Sequence, residues 1–488
     1  MPPNEKNIGI TRNTSFKGDV LRLVSGTGIA QIIGLAAAPI LTRLYAPEAF
    51  GAAALFASIT GIFGVIVCMR YELSIVLPES DREAANLLAV CFFISMLVSF
   101  FTILIVVFAS VPVLNLIHMP ELAPFMWLIP IAVFMAGIFT ALDYWNTRTK
   151  HFVRLSIARV TSQLSSTGGS LGLGFAGNTT GGSLISASLV GQAVATAVLA
   201  GQILRDNGRF ILNSISWQEM WSGVKRHRNF PLYSSWAALI NTASWQLPVL
   251  MLGAFFSPAV VGMYSLGFRL IQMPMSLIGG AISQVFLQRA AEAKSSNELG
   301  RLVGVIFNRL LLVGLLPTMI IMAIGADLFA FVFGEQWREA GVYVQILAPW
   351  ALVWFVSSPL SSIYSIKGKQ KNEFVIHSLI FVLRIVSIAI GGYYSFPRLA
   401  IALFSLGGII AYSYLILQIF NYSNVALEGL VKKIAHHTLF CSIYMLPIIV
   451  VSFILYVKFY WIVGLATFLL CLFYYNQRNY LSGKQSVA

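Results

Sequence analysis

The sequence predicts an all-α, polytopic membrane protein of about fourteen transmembrane helices, arranged as two six-helix lobes followed by a C-terminal helix pair. Three observations predict this. Of 488 residues, 58% are hydrophobic and 10% charged, against about 25% charged in soluble domains, and the mean hydropathy is +0.80. The apolar residues fall in runs of the ~20 that a bilayer crossing needs. The basic residues gather in alternate gaps between the runs. A water-soluble fold, which would have to hide all of this apolar surface, is excluded.

Residues 1–19 are charged and lack a short apolar stretch with a cleavage site, so they are expected to be a cytoplasmic segment leading into an uncleaved first span. Apolar runs bounded by Pro, Gly and charge clusters then predict helices near 20–44, 50–69, 84–109, 124–144, 156–175 and 183–203, an N-lobe over 20–203. The basic stretch 204–231 reads as a cytoplasmic linker. Six further runs, near 232–256, 261–287, 303–325, 342–365, 374–395 and 399–420, predict a C-lobe over 232–420. A final pair lies near 437–457 and 460–476 within 437–476, and 477–488 reads as a cytoplasmic tail.

The net charge of +14, from 32 Lys and Arg against 18 Asp and Glu, raises the question of nucleic acid. Its distribution answers it. With both termini in the cytoplasm, 24 of the 32 basic residues fall on internal segments, and the external loops hold only Arg338, Arg398 and Lys458. One missed or added helix would invert every later loop, so this asymmetry supports the span count and follows the positive-inside rule. The basicity is a topology signal, and no nucleic-acid partner is expected.

An internal repeat is legible at the joints. LYAPEAFGAAAL from Leu44 and FFSPAVVGMYSL from Phe255 align Pro47 with Pro258 and Gly51 with Gly262 at a common offset of 211. Six helices per unit makes such a repeat parallel, as in transporters with two lobes about a central path. The four cysteines are widely spaced and the six histidines are scattered, so neither a disulfide framework nor a metal site is expected, and no cofactor.

Polar side chains are costly in lipid and therefore mark a bundle interior or a wet cavity. On the eighth span Arg269, Gln272, Ser276, Gly280 and Ser283 recur at helical spacing; on the seventh Ser234, Ala238, Asn241 and Trp245 do; the first carries Ser25, Gly28 and Gln31. Arg22 and Arg43 sit at span ends, where they can snorkel. Arg269, Arg309 and Arg384 lie deeper, Arg384 with a structural role inside one lobe as an equal alternative. The span interiors are almost free of acids: Asp143 sits at a span's cytoplasmic end and Glu72 at the boundary after the second span. Arginines without acids suit an anionic, phosphate-bearing substrate. The Gly- and Ser-rich fifth span, from Ser165 to Ser170, reads as a close packing face.

Five segments carry a resemblance: RYELSIVLPESD (Arg70–Asp81), YWNTRTKHF (Tyr144–Phe152), NFPLY (Asn229–Tyr233), LIGGAISQVFLQRAAE (Leu277–Glu292) and FVFGEQWREAG (Phe331–Gly341). In order and position they resemble the Wzx-type polysaccharide repeat-unit flippases of the MOP exporter superfamily, over about residues 15–420. The resemblance implies a central cavity lined mainly by helices 1, 2, 7 and 8. It implies a substrate, an undecaprenyl-diphosphate-linked glycan, moved across the bacterial cytoplasmic membrane by alternating access for O-antigen or exopolysaccharide synthesis. It makes the protein a transporter with no catalytic residues, the lipid bilayer its surroundings, and a polysaccharide polymerase and a chain-length regulator its further partners. By motif position it places Arg70 and Glu72 at the cytoplasmic entrance and Asn241 and Arg269 in the cavity. From the residues themselves Gln272, Gln31, Trp245, Arg309 and Arg384 join the cavity candidates, with Trp245 and Tyr264 as faces for sugars. Glu335, Trp337 and Arg338 carry over as an external-loop signature. The alternatives are a lipid II flippase or multidrug antiporter of the same superfamily, or an integral-membrane polymerase or glycosyltransferase. The few buried acids disfavour the antiporter, and external segments of about fifteen residues disfavour the enzyme.

Overall fold

The computed structural model describes residues 16–116, 120–293, 298–425, 428–449 and 459–481. The chain divides into two compact units, 1–261 and 262–488, and the described residues are almost entirely helical. Eleven helical runs among them are long and apolar enough to cross a membrane.

The first unit opens with α1 (Phe16–Leu44) and α2 (Pro47–Ile66), followed by a 3-10 turn at Tyr71–Val76 and the long α3 (Asp81–Leu116). The short α4 (Ala123–Met126) leads to α5 (Ile129–Arg148), α6 (Phe152–Phe175) and α7 (Gly181–Ser214). Then come α8 (Trp217–Arg226), a π turn at Phe230–Ser234 and α9 (Ser235–Phe255). The predicted fifth span is α6. Its Ser, Thr, Gln and Gly content leaves it less apolar than the other predicted spans of the unit, and it packs closely against α1 and α7. A Cβ at Gly191 of α7 would stand 2.6 Å from the Ser162 carbonyl of α6, so the small residues let the two backbones approach, as the sequence suggested.

The second unit holds most of α10 (Pro258–Pro274), a π turn at Met275–Gly279, α11 (Gly280–Glu292), α12 (Leu299–Phe333) and α13 (Arg338–Ser357). It continues with α14 (Ile363–Ile366), α15 (Gln370–Tyr393) and α16 (Pro397–Tyr422), and ends with α17 (Glu428–Ile449) and α18 (Phe459–Leu481). The last pair packs on α12 through a core of Leu316, Ile320, Cys441, Met445, Ile462 and Phe473. The Tyr474 hydroxyl donates to the Val313 carbonyl at 2.6 Å.

The stretch 204–231, expected as a linker, is largely helical: α7 runs on to Ser214 and α8 begins after two residues. The division between units falls after Val261, so α9, expected to open the C-lobe, belongs with the first unit. It packs along α2: Cβ atoms at Gly253 and Gly61 would lie 2.8 Å from Leu55 Cδ2 and 3.1 Å from Gln246 Nε2. Residues 450–457 of the predicted thirteenth span, and most of the predicted tail, lie outside the described residues. The sequence repeat reappears as geometry. Helix α1 ends at Leu44 and α9 at Phe255, and α2 starts at Pro47 and α10 at Pro258, both at the offset of 211. Proline, with φ already fixed and no amide hydrogen to lose, starts each second helix.

Candidate functional site

In the first unit two of the five signature segments form one construction. Met69 and Arg70 adopt left-handed backbone (φ 50° and 61°), an uncommon conformation for non-glycine residues, and so turn the chain from α2 into the 3-10 turn. Arg148, from the Tyr144–Phe152 segment, clamps residues 75–81 at the far end of that turn. Its guanidinium donates to the carbonyls of Ile75 (3.2 Å), Pro78 (2.6 Å) and Glu79 (3.4 Å) and to Asp81 Oδ1 (2.9 and 3.1 Å). From the other side the Tyr71 hydroxyl donates to the Val224 carbonyl of α8 at 3.1 Å. From the sequence, Arg148 counts only as an orientation charge. The third segment, Asn229–Tyr233, forms the joint between α8 and α9.

Within this framework Glu72 is 3% exposed and pairs with Arg70 at 3.4 Å. Glu72 Oε2 and Arg70 Nε are buried and have no hydrogen-bond partner among the described residues. Burial raises the Glu72 carboxyl above the ordinary carboxylate range, although its own backbone amide and the Arg70 charge pull the other way. A folded-state pKa above the unfolded one means that the Glu72 contribution to stability is complete below the unfolded value and is lost as pH rises through the folded value. The melting temperature of the wild type relative to Glu72→Gln should therefore fall as pH rises from the ordinary carboxylate range. A difference that grows with pH would show the carboxylate to be favoured at this site.

The remaining first-unit candidates lie on α1 and α9. Gln31 and Trp245 are half-buried and Asn241 is exposed. A charged pair that span composition does not reveal sits nearby in the fold: Arg159 of α6 donates to Thr27 Oγ1 of α1 at 2.8 Å and meets Asp143 of α5 at 3.4 Å. Arg159 thereby ties three helices of the unit together.

In the second unit Arg269 and Gln272 of α10 and Ser276 of the following π turn are exposed. Other side chains of the same helix turn inward: Tyr264 stacks on Phe268, which stacks on Trp350. Arg384 joins this aromatic core and is not on a cavity wall. It is 5% exposed, lies 5.7 Å from the Phe404 ring centre and hydrogen-bonds Tyr412. A desolvated guanidinium is compensated there by ring faces and a hydroxyl. Tyr264 is likewise enclosed, 3% exposed, and offers no face to a sugar. Arg309 is half-buried on α12.

A cavity of about 490 Å³ opens among α10, α12, α13 and α18, lined by apolar groups such as Ile271, Met275, Pro317, Phe329, Leu352 and Phe355. The Phe331–Gly341 signature is structural. Gly334 ends α12 with φ 104°, Trp337 is fully buried, and Arg338 joins Asp327 and Glu335. Gly341 lets α13 cross α12, since a Cβ there would stand 2.4 Å from the Gly325 carbonyl oxygen. Arg398 forks onto Glu339 at 2.6 and 2.7 Å. Among the described residues no cluster of His, Cys, Asp and Glu could hold a metal ion.

Comparison with known proteins agrees with this architecture. Over 94% of this chain and 99% of the other, the fold matches the lipid II flippase MurJ in an inward closed conformation, with a TM-score of 0.73 and 14% identity. An inward-facing multidrug resistance MATE family transporter of the MOP superfamily matches with a TM-score of 0.61 and 13% identity, over 84% of this chain and 99% of that one. The chain is 22% identical over 196 residues to the teichuronic acid biosynthesis protein TuaB of Bacillus subtilis (strain 168), 38% of this chain and 41% of that protein. It is 26% identical over 159 residues to the lipopolysaccharide biosynthesis protein WzxC of Escherichia coli (strain K12), 32% of each. These matches thus span well under half of either relative. The family profile described as polysaccharide biosynthesis protein matches residues 40–342, most of the chain, and with it this multi-pass membrane protein belongs to that family.

Proposed function

We propose that the protein is a flippase that carries undecaprenyl-diphosphate-linked oligosaccharide repeat units from the cytoplasmic to the outer leaflet of the bacterial cytoplasmic membrane, with both termini in the cytoplasm. The observation that carries this reading is the two-sidedness of α10. From α10 into the π turn, Arg269, Gln272 and Ser276 are exposed, while Leu270, Ile271, Pro274 and Met275 line the apolar cavity. An amphiphile with a diphosphate head and a prenyl tail needs both surfaces within reach of one another. A guanidinium forks onto phosphate oxygens, and an apolar cavity of this size takes up a segment of prenyl chain. The family membership and the fold shared with MurJ and MATE transporters support alternating access as the means. Asn241, Gln31, Trp245 and Arg309 are the further residues proposed to meet the head group, and Arg70 with Glu72 those of the entrance. A polymerase and a chain-length regulator are the proposed downstream partners.

Moving a charge across the membrane is worth about 2.3 kcal/mol per 100 mV. An anionic head leaving a negative interior is therefore driven forward. In proteoliposomes loaded with a lipid-linked repeat unit, an interior-negative potential should speed its appearance to an impermeant lectin outside. A rate equal to that of protein-free vesicles would refute the flippase. A protein-dependent rate indifferent to potential would leave the flippase standing and refute the electrical drive.

A further inference from the structure

The segment between α7 and α9 carries an exposed surface outside the residues proposed for transport. Trp217 and Trp221 stand one helical turn apart on α8 and are 76% and 55% exposed, while Leu212 just before them is 67% exposed. The opposite face is fastened to the unit. Met220 and Gly223 are buried, the latter against Leu87 of α3, and Glu219 accepts from Arg82 (3.1 Å) and Asn86 (2.8 Å). Arg226 donates to Glu83 at 2.7 Å. The contact with Leu87 fixes the level of α8. Five residues further along α3, about 7 to 8 Å at 1.5 Å per residue, Phe92 and Phe93 begin the exposed apolar surface of that helix. Helix α8 therefore lies where the apolar surface of α3 starts, the depth at which tryptophan concentrates in membrane proteins.

The charges of this stretch point the same way. Residues 204–231 include two acids, Asp206 and Glu219, and five bases, Arg205, Arg209, Lys225, Arg226 and Arg228. Both acids are taken by arginines of the neighbouring helices, Arg154 and Arg82. Lys225, lying 5.5 Å from the Trp221 ring centre, and Arg228 are exposed without an acidic partner among the described residues. The outward face thus combines two tryptophans with uncompensated cations. We infer that α8 lies in the membrane–water interface as an in-plane helix, with Trp217 and Trp221 entering the headgroup region and Lys225 and Arg228 holding anionic phospholipid headgroups. Basic residues beside a bilayer attract anionic lipid in this way. The Tyr71 bond to Val224 then joins that lipid contact to the segment bearing Arg70 and Glu72.

The test uses the whole protein in vesicles and needs no transport substrate, so it stands or falls apart from the flippase reading. The difference in fluorescence between wild type and Trp217→Phe/Trp221→Phe isolates these two indoles. Brominated phosphatidylglycerol should quench that difference at least about twofold more than brominated phosphatidylcholine at equal mole fraction. Lys225→Gln/Arg228→Gln should abolish the preference and keep the quenching. A fluorophore on Ser222→Cys, with the exposed Cys471 replaced by Ser, gives the same comparison without the tryptophan variants. Absence of quenching by either lipid overturns the interfacial placement, and equal quenching of the wild type by both overturns the anionic site.

Discussion

Arg269→Ala should lower the rate of translocation in proteoliposomes by about 30-fold, and Arg269→Lys by about threefold. Arg269 is an exposed residue of α10, and the proposed reading has its guanidinium replace part of the hydration shell of a diphosphate. A hydrogen bond to a charged group contributes about 1.5 to 3 kcal/mol, and each ~1.4 kcal/mol is tenfold, which places the alanine variant between one and two decades down. Lysine keeps the charge and loses the planar fork, so it retains the attraction and gives up the bidentate geometry. The measurement is the initial rate at which lipid-linked substrate reaches the outer leaflet, normalised to reconstituted protein. Equal rates for wild type, lysine and alanine would take Arg269 out of the path.

Arg148→Ala should cost about 3 kcal/mol of stability. The side chain is 11% exposed and serves three carbonyls and a carboxylate, most of them part-buried, so truncation leaves these acceptors unmet and Asp81 without its cation. Breaking one partner of such a buried pair costs about 3 to 5 kcal/mol, reduced here because Asp81 is 35% exposed. Lysine brings a point charge that cannot reach all four acceptors, and its variant should fall in between. A drop in melting temperature accompanied by protease cleavage within 70–81 would show that the clamp holds this segment. A change below about 0.5 kcal/mol would mean that Tyr71 and the packing of the 3-10 turn suffice.

The two variants mark where the sequence was informative and where it was not. Span positions were legible because lipid selects composition over twenty consecutive residues, a signal that survives small errors at helix ends. The α1–α2 and α9–α10 joints were legible because proline restricts backbone locally. Partnerships were not. Arg148 sits in a basic gap, where the positive-inside rule already explains an arginine, so nothing in the sequence distinguished a clamp from an orientation charge. Arg159 was hidden in the same way beside Asp143. For Arg384 the sequence allowed a cavity wall or a structural role equally; the deciding aromatic residues, Phe404 and Tyr412, come from another helix. Helix α8 did leave a trace, Trp217 and Trp221 four residues apart with Glu219 and Met220 between them, but ten residues among so many basic groups read as linker.

The π turn at Met275–Gly279 has a consequence for the tolerance of this chain to changes in length. A π turn closes with one more residue than an α turn, so the helical run from α10 to α11 contains one residue of slack beside the Arg269 stripe. Deleting a residue there would convert the turn to α geometry, while a deletion inside α12 would rotate everything beyond it by about 100° and carry Leu316 and Ile320 off the core they share with α17 and α18. Single-residue length variation among natural relatives of this chain should therefore be accommodated between α10 and α11 and be rejected in α12.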